Sequence, residues 1–411
     1  MPNTTATPQW VTNEIGYQFS NEVNGVAAFN RTYDGQFRQA GAKVGDTIKV
    51  RKPQRWQVTD GSGYKGQAIL DQTVPVTLSN QKGVHFDYSS VEGTTDLDDI
   101  RARYVQPAAE AMANAADVLG MANVYKDVYN YTGTLGTTPA TAVVWGDAGS
   151  AISYGAVPLP RRVAVLDIKA MFRTSQINAA FFNPQGTVSQ NWRSGQMGAN
   201  QLGIAEWYQS QNVPKFTSGV ISVASTPVVD TAGQTGSAIT TSGWGNSGLS
   251  AVKGDIVTFA GTYKVNPQSF VSTGQLQQFV LTADAADDGS GNATLNISPS
   301  IITSGPLQTV TASPALNAVV TYWAMSAGGT QAAYVSPQSL VFHRDAFAFV
   351  MADMIMPNGG AKATFARSKK LNVSIRYVQQ YQSLTDQNLN RLDMLIGAAT
   401  IWPDAACRVV G

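Results

Sequence analysis

Charge is what this 411-residue chain has least of. Lys, Arg, Asp and Glu together make up 13% of it, against about 25% in an average soluble protein. Gly, Ala, Ser, Thr and Asn fill the places. A monomer kept in solution by its own surface usually carries more charge. The sparse pattern therefore points to surface covered by partners, although secreted β-proteins share it. A formal net charge of +1 excludes a global field that would draw the chain to nucleic acid or a membrane. The single cysteine, Cys407, excludes an internal disulfide, so stability must come from packing and association. His85 and His343 are the only histidines and have no cysteine nearby, which argues against a histidine- or cysteine-rich zinc site. No run reaches the ~18 apolar residues a bilayer-crossing helix needs. The opening MPNTTATPQW lacks the basic-then-apolar pattern of a secretory signal. The expectation is a chain made and folded in a cytoplasm, without a membrane partner.

Catalytic motifs are also scarce. Ser79-Asn80-Gln81-Lys82 has the Ser-x-x-Lys spacing of penicillin-binding enzymes, but that chemistry needs the serine at the start of a buried helix and further motifs downstream. Here it falls in a polar turn. Asp284, Asp287 and Asp288 with Gly289, Gly291 and Asn292 hint at calcium. The alternating acids and closing glutamate of an EF-hand are absent, and the same residues make an ordinary turn. There is no phosphate-binding or dinucleotide glycine fingerprint. The expectation is a non-enzyme with no catalytic residue, no metal and no cofactor.

What the chain does contain is an ordered series of segments. Val11, Ile15, Phe19, Val23 and Val26 recur at helical spacing behind a polar leader. Thr47, Lys49 and Arg51 alternate with Ile48 and Val50, and Pro75-Val76-Thr77-Leu78 reads as a second strand. The glycine-rich tip Asp60–Gly66 lies between them, so the whole describes a long hairpin needing a neighbouring surface. From Asp96 to Asp127 runs the clearest helix, interrupted at Pro107 and then alanine-rich, with Met112, Ala116, Leu119 and Ala122 along one face. RRVAVLDI reads as a strand, IKAMFRTSQINAAF as a helix, and SLVFHRDAFAFVMADM as an amphipathic helix or strand–helix unit. LNVSIRYVQQYQ and RLDMLIGAATIWPDAACRVV close the chain as strands. From 217 to 334 there is no Arg and no Glu, and short β-type runs alternate with Gly and Pro. This predicts an all-β domain, a small barrel or sandwich, inserted into an α+β fold.

Taken in order, VGDTIKVRKP, DIRARYVQPAAEAMANAADVLG, RRVAVLDIKAMF, LGIAEWYQSQNVPKFTSG and SLVFHRDAFAFVMADM resemble the major capsid proteins of tailed phages, with the Hong Kong phage capsid fold. GDIVTFAGTYKVNP is similar to part of the insertion domain of podovirus-type coat proteins. The resemblance implies an N-terminal arm and lead-in at 1–45, an extended loop at 46–89, and a spine helix with peripheral domain at 90–150. It implies an axial domain at 151–216 and 335–411, interrupted by the inserted β-domain at 217–334. The implied function is self-assembly of an icosahedral shell around phage double-stranded DNA, in the virion capsid, after assembly in the host cytoplasm. The implied partners are the chain itself in pentamers and hexamers, a separate scaffolding protein, a portal protein, an optional decoration protein, and DNA contacted non-specifically. A scaffolding segment fused ahead of the arm does not fit, because the extended loop begins within about 45 residues. Arg51, Lys52, Arg55 and Lys65 gather on the loop and are the candidate contacts with acids of a neighbouring subunit, a solvated strand face being the alternative. The rival class is a secreted β-rich adhesin or carbohydrate-binding protein, for which exposed tryptophans near Trp244 and Trp323 would serve.

Overall fold

A computed structural model describes residues 25–33, 47–58, 61, 66–78, 80–89, 104–176, 199–221, 226–245, 248–323, 333–357, 362–367 and 374–411, with isolated positions 13, 194 and 197. The expected helix over 11–26 and most of the loop tip lie outside the described residues.

In chain order the elements are β1 (Thr47–Arg51), β2 (Thr73–Thr77), β3 (Asn80–Ser89), α1 (Gln106–Val124), β4 (Tyr131–Gly133), α2 (Ala142–Tyr154), β5 (Arg162–Leu166), α3 (Ile168–Ser175), β6 (Glu206–Gln209) and β7 (Lys215–Thr217). Then come β8 (Val220–Ile221), β9 (Val228–Val229), β10 (Gly236–Ser242), β11 (Leu249–Ala251), β12 (Ile256–Val265), β13 (Ser272–Leu281), β14 (Ala285–Ala286), β15 (Ala293–Ile301) and β16 (Val320–Tyr322). The last are β17 (Val335–His343), β18 (Phe347–Ala352), β19 (Lys362–Arg367), β20 (Ser374–Gln382), β21 (Gln387–Thr400) and β22 (Ala406–Val410). The chain divides into two units.

One unit gathers residues 1–50, 73–123 and 347–401. Its axis is the 14-residue β21, which pairs antiparallel with β3, β20 and β18, while β19 extends the sheet beyond β20. Small residues let α1 approach closely. A Cβ on Gly120 would stand 2.5 Å from Val26 and 3.5 Å from Phe349 of β18. Asp117, buried on the same face, accepts from the backbone N–H of Gly25 (3.2 Å) and Val26 (2.9 Å) and so holds the 3-10 turn Val26–Ala28. The buried stripe is thus Ala109, Met112, Ala113, Ala116, Met121 and Val124. Of the predicted face, Met112 and Ala116 are buried, but Leu119 is only half-buried and Ala122 is exposed. The small side chains at 109, 113, 116 and 120, rather than the larger Leu119, fix which face packs. A second cluster joins Val50, Val76 and Leu78 to Ala348, Val350, Ala352 and Leu395.

The segment expected as a helix or strand–helix unit is β17, a 3-10 turn at Arg344–Ala346, and β18. Every residue of β18 is buried. A strand covered on both faces reads as a continuous apolar run, which periodicity cannot tell from a buried helix.

The other unit holds residues 51–72, 124–346 and 402–411. Its mixed sheet runs β4-β22-β17-β5-β6. β17 is antiparallel to β22 and β5, while β4–β22 and β5–β6 are parallel. Strands β5 and β22 are wholly buried, as sheets covered on both faces require. Helix α2 seats Trp145 edge-on against Trp207, with centroids 5.6 Å apart. The buried Arg162 fastens its end by donating to the carbonyls of Gly149, Val157 and Pro158 and to Ser153 Oγ, at 2.7–3.1 Å.

Between β7 and β17 the chain forms an antiparallel sheet ordered β16-β12-β13-β15-β10-β9. It closes on itself through the Val228–Val319 bridge, so it is a six-stranded barrel whose ends pair with each other rather than standing open. Ile239, Phe259, Phe279, Leu281 and Leu295 are buried on it, with the two phenylalanine rings 5.3 Å apart. The short strands β14-β11-β8 make a small separate sheet.

Candidate assembly surfaces

The first surface is the hairpin of residues 51–72. Beyond the Lys52 N–H to Gln72 O bond (2.8 Å), glutamine side chains take the place of a backbone ladder among the described residues. Gln54 Nε2 donates to Leu70 O (2.9 Å) and to Asp71 Oδ1 (3.1 Å). Gln67 Oε1 accepts from Gln57 N–H at 3.0 Å, and Gln67 Nε2 donates back to Gln57 O. Tied across its legs by these side-chain bonds, the hairpin leaves large apolar groups uncovered. Val58 is 88% exposed and Ile69 70%, with Trp56 and Leu70 also exposed.

The predicted contact residues divide on this hairpin. Arg51 is exposed at the end of β1. Arg55 is occupied within the chain, its Nη2 standing 3.0 Å from Asp404 Oδ2. Lys52 is half-buried; burial pulls its pKa down, against the attraction of Asp404, with Arg55 adding to the fall. Lys65 lies outside the described residues.

The second surface is internal to the unit, where the barrel meets the mixed sheet. Gln278 of β13 uses its amide as a substitute strand on β4, the edge of that sheet. Its Oε1 accepts from Tyr131 N–H (2.7 Å) and its Nε2 donates to Tyr131 O (3.1 Å). Lys264 of β12 is buried with only neutral partners in reach among the described residues: Asn130 Oδ1 at 3.2 Å, Ala151 O at 3.4 Å and the Tyr129 ring. Burial pulls its amine down to about 8, against the attraction of Cys407 and with the repulsion of Arg55. Arg408 of β22 is fully buried. It donates to Gly254 O (2.8 Å) and lies 4.8 Å over the Trp323 ring, and burial pulls it down to about 10.

Asp255 ties the neck of the barrel. Its carboxylate accepts from Gly219 N–H (3.1 Å), Val252 N–H (2.8 Å), Trp323 Nε1 (3.0 Å) and the Tyr322 hydroxyl. It thereby joins the segment leaving the mixed sheet to the segment returning to it. Burial still holds this carboxyl above its usual range, and the hydrogen bonds pull it back. Asp255, Lys264, Arg408, Gln278 and Asp404 were missed by sequence reasoning. A usable signal existed: Asp255 and Lys264 are among very few charges between 217 and 334.

The motifs weighed for other chemistry have local uses. Asp288 accepts from Ser290 N–H, Asn292 N–H and the Asn292 amide, while Asp287 accepts from Leu249 and Gly289 N–H. These bonds build the turn. Trp244 is wholly buried, its Nε1 donating to Thr241 Oγ1 (2.8 Å). Trp323 is packed beneath Arg408 and edge-on to Tyr131. The exposed tryptophans that an adhesin reading required are therefore core groups.

Among solved structures, the chain is similar to one described as Mycobacterium phage Che8, at 14% identity over 94% of this chain and 90% of that one, TM-score 0.46. It is similar to the capsid of Ralstonia phage GP4 at 10% identity, covering 94% and 87%, TM-score 0.43. A third is a virus-like particle from Pyrococcus furiosus, at 7% identity, covering 98% of each chain, TM-score 0.40. No curated protein sequence matches. The family model described as "P22 coat protein - gene protein 5" matches residues 32–411. That span takes in both units and the barrel, so the chain belongs to the P22 coat protein family: it is a phage major capsid protein with an α+β capsid fold, a subunit of the virion shell.

Proposed function

We propose that this subunit closes its shell by laying the 51–72 hairpin over a neighbouring copy. The observation that carries this is the exposure of Trp56, Val58, Ile69 and Leu70 on a hairpin that does not cover them itself. Burying such side chains is worth about 1.5–3 kcal/mol each, and closed symmetry repeats the gain at every subunit. Arg51, Lys52 and Lys65 supply charge at the rim of this contact, and Arg55 contributes through its own chain.

In this reading, the shell is icosahedral, built of pentamers and hexamers around double-stranded DNA that it contacts non-specifically. Near-neutral net charge suits such a wall, because each added phosphate contact would strengthen retention of the genome. A separate scaffolding protein and a portal complete assembly, with a decoration protein optional. The 217–334 segment acts as an inserted domain that stabilises the subunit through the Asp255 neck and the Gln278, Lys264 and Arg408 contacts. The subunit performs no catalysis. Deleting residues 60–67 tests the hairpin's role. The expected result is a folded chain, by circular dichroism, whose shell yield collapses; an undiminished yield would reject it.

A further inference from the structure

We propose that Asp404 is the positioning residue that aims the hairpin, holding its root through Arg55. The carboxylate stands on a turn fixed from several sides. Trp402 N–H donates to Ala346 O (3.0 Å) and Ala405 N–H to Trp402 O (3.1 Å), and Ala406 then enters β22 between β17 and β4. The Tyr129 hydroxyl donates to Asp404 Oδ1, and Asn130 Nδ2 donates to Asp404 O (3.3 Å). The end of α2 presses against the same residue: a Cβ on Gly155 would stand 3.2 Å from Asp404 O. One oxygen and the backbone are thus committed to the body of the unit. The other oxygen, Oδ2, faces Arg55 Nη2 at 3.0 Å, with Lys52 supporting it electrostatically.

The hairpin side of this contact is the opposite case. The other hydrogen bonds found for residues 51–72 run between its own two legs. Among the described residues, Arg55 makes the one ion pair or hydrogen bond that joins the hairpin to the rest of its unit. Arg55 is only 28% exposed and Asp404 19%, so the bond is shielded enough to be directional. From residue 51 to residue 58 an extended leg is a lever of roughly 23 Å. A swing of about 10° at its root moves residue 58 by about 4 Å on that length. A subunit that occupies non-equivalent places in a closed shell needs such a pivot defined but able to re-aim, and a single charge-assisted contact on a fixed base has that property.

The consequence for assembly rests on the hairpin-over-neighbour reading, so the test separates the two. In the full-length unassembled chain, spin labels at Ala68→Cys and Gly146→Cys report hairpin against axial body, and labels at Gly146→Cys and Ser290→Cys report the body alone. Asp404→Asn and Arg55→Ala should each widen the first distance distribution, by about 3 Å for a 10° swing, since residue 68 stands roughly 16 Å from the root. The double substitution should widen it no further, because both act on one bond. Arg55→Lys should keep most of the narrow distribution, and the second label pair should be unchanged throughout. An unaltered hairpin distribution in Asp404→Asn, or equal widening of both label pairs, would overturn the proposal, the latter by making Asp404 a general fold residue. If the hairpin is released and shells still form uniformly, the aiming contact stands and the hairpin-over-neighbour reading falls.

Discussion

Replacing Lys264 by Met should stabilise the subunit at neutral pH and destabilise it at high pH. The amine is buried without a carboxylate partner among the described residues, and burial pulls its pKa from 10.5 to about 8. That difference corresponds to about 3 kcal/mol of cost for carrying the charged form into the fold. The folded pKa lies below the unfolded one, so the folded state binds fewer protons between pH 8 and 10.5. Stability from this group therefore rises with pH across that window, and the full cost is present below pH 8. Methionine of similar length carries no charge, but it leaves Asn130 Oδ1 and Ala151 O without their donor, at about 1–2 kcal/mol in total. The variant should be more stable by about 1–2 kcal/mol at pH 7, with the order reversed by a similar margin near pH 10.5. Cys407 has the opposite sign: burial holds its thiol up to about 12, so its contribution falls from pH 9 upward in both proteins and cancels in the comparison except for its attraction to Lys264. Urea unfolding of the unassembled chain, followed by tryptophan fluorescence at several pH values, gives both curves. Parallel pH profiles for the two proteins would refute the reasoning.

Asp255→Ala leaves four donors unmatched, three of them buried, offset in part by relief of the buried charge; the expected loss is about 3–5 kcal/mol by the same unfolding assay, and a loss below about 1 kcal/mol would deny the neck its role. Gly397→Ala places a Cβ against the Thr77 carbonyl in the first unit, a backbone atom that cannot rotate away. It should cost about 1–3 kcal/mol or more, read as a lowered melting temperature, whereas a Gly→Ala gain would show that the strands can part freely. The Cys407 thiol, buried and protonated, should resist iodoacetamide at pH 8 in the folded chain and react in urea; mass spectrometry decides, and rapid alkylation of the native protein would contradict its placement.

Several elements were legible in the sequence because each carries a local signal. Alternation marked β1 and β2, the alanine-rich run marked α1, and the loss of Arg and Glu marked the barrel region. Periodicity failed where burial is two-sided, as in β18, and where small residues rather than large ones choose the packing face, as in α1. The assembly surfaces were less legible. The cationic cluster on the hairpin gave no local sign of its partners: Arg55 finds its acid at Asp404, 349 residues away in sequence. Lys264 and Asn130 meet across 134 positions, and Asp255 reaches Trp323 across 68. No local pattern encodes such pairs; they exist only once the barrel strands and β22 are in register. The tryptophan reading failed for the same reason, since Trp244 and Trp323 are enclosed by segments distant in sequence.

Electron microscopy of the full-length chain, expressed and purified alone and with a scaffolding protein, tests the central claim most directly. A shell subunit predicts closed particles bearing five- and sixfold clusters, or sheets and tubes of the same lattice where scaffolding is missing. A chain that remains monodisperse and monomeric under both conditions, at concentrations where its exposed hairpin should be covered, would contradict the account.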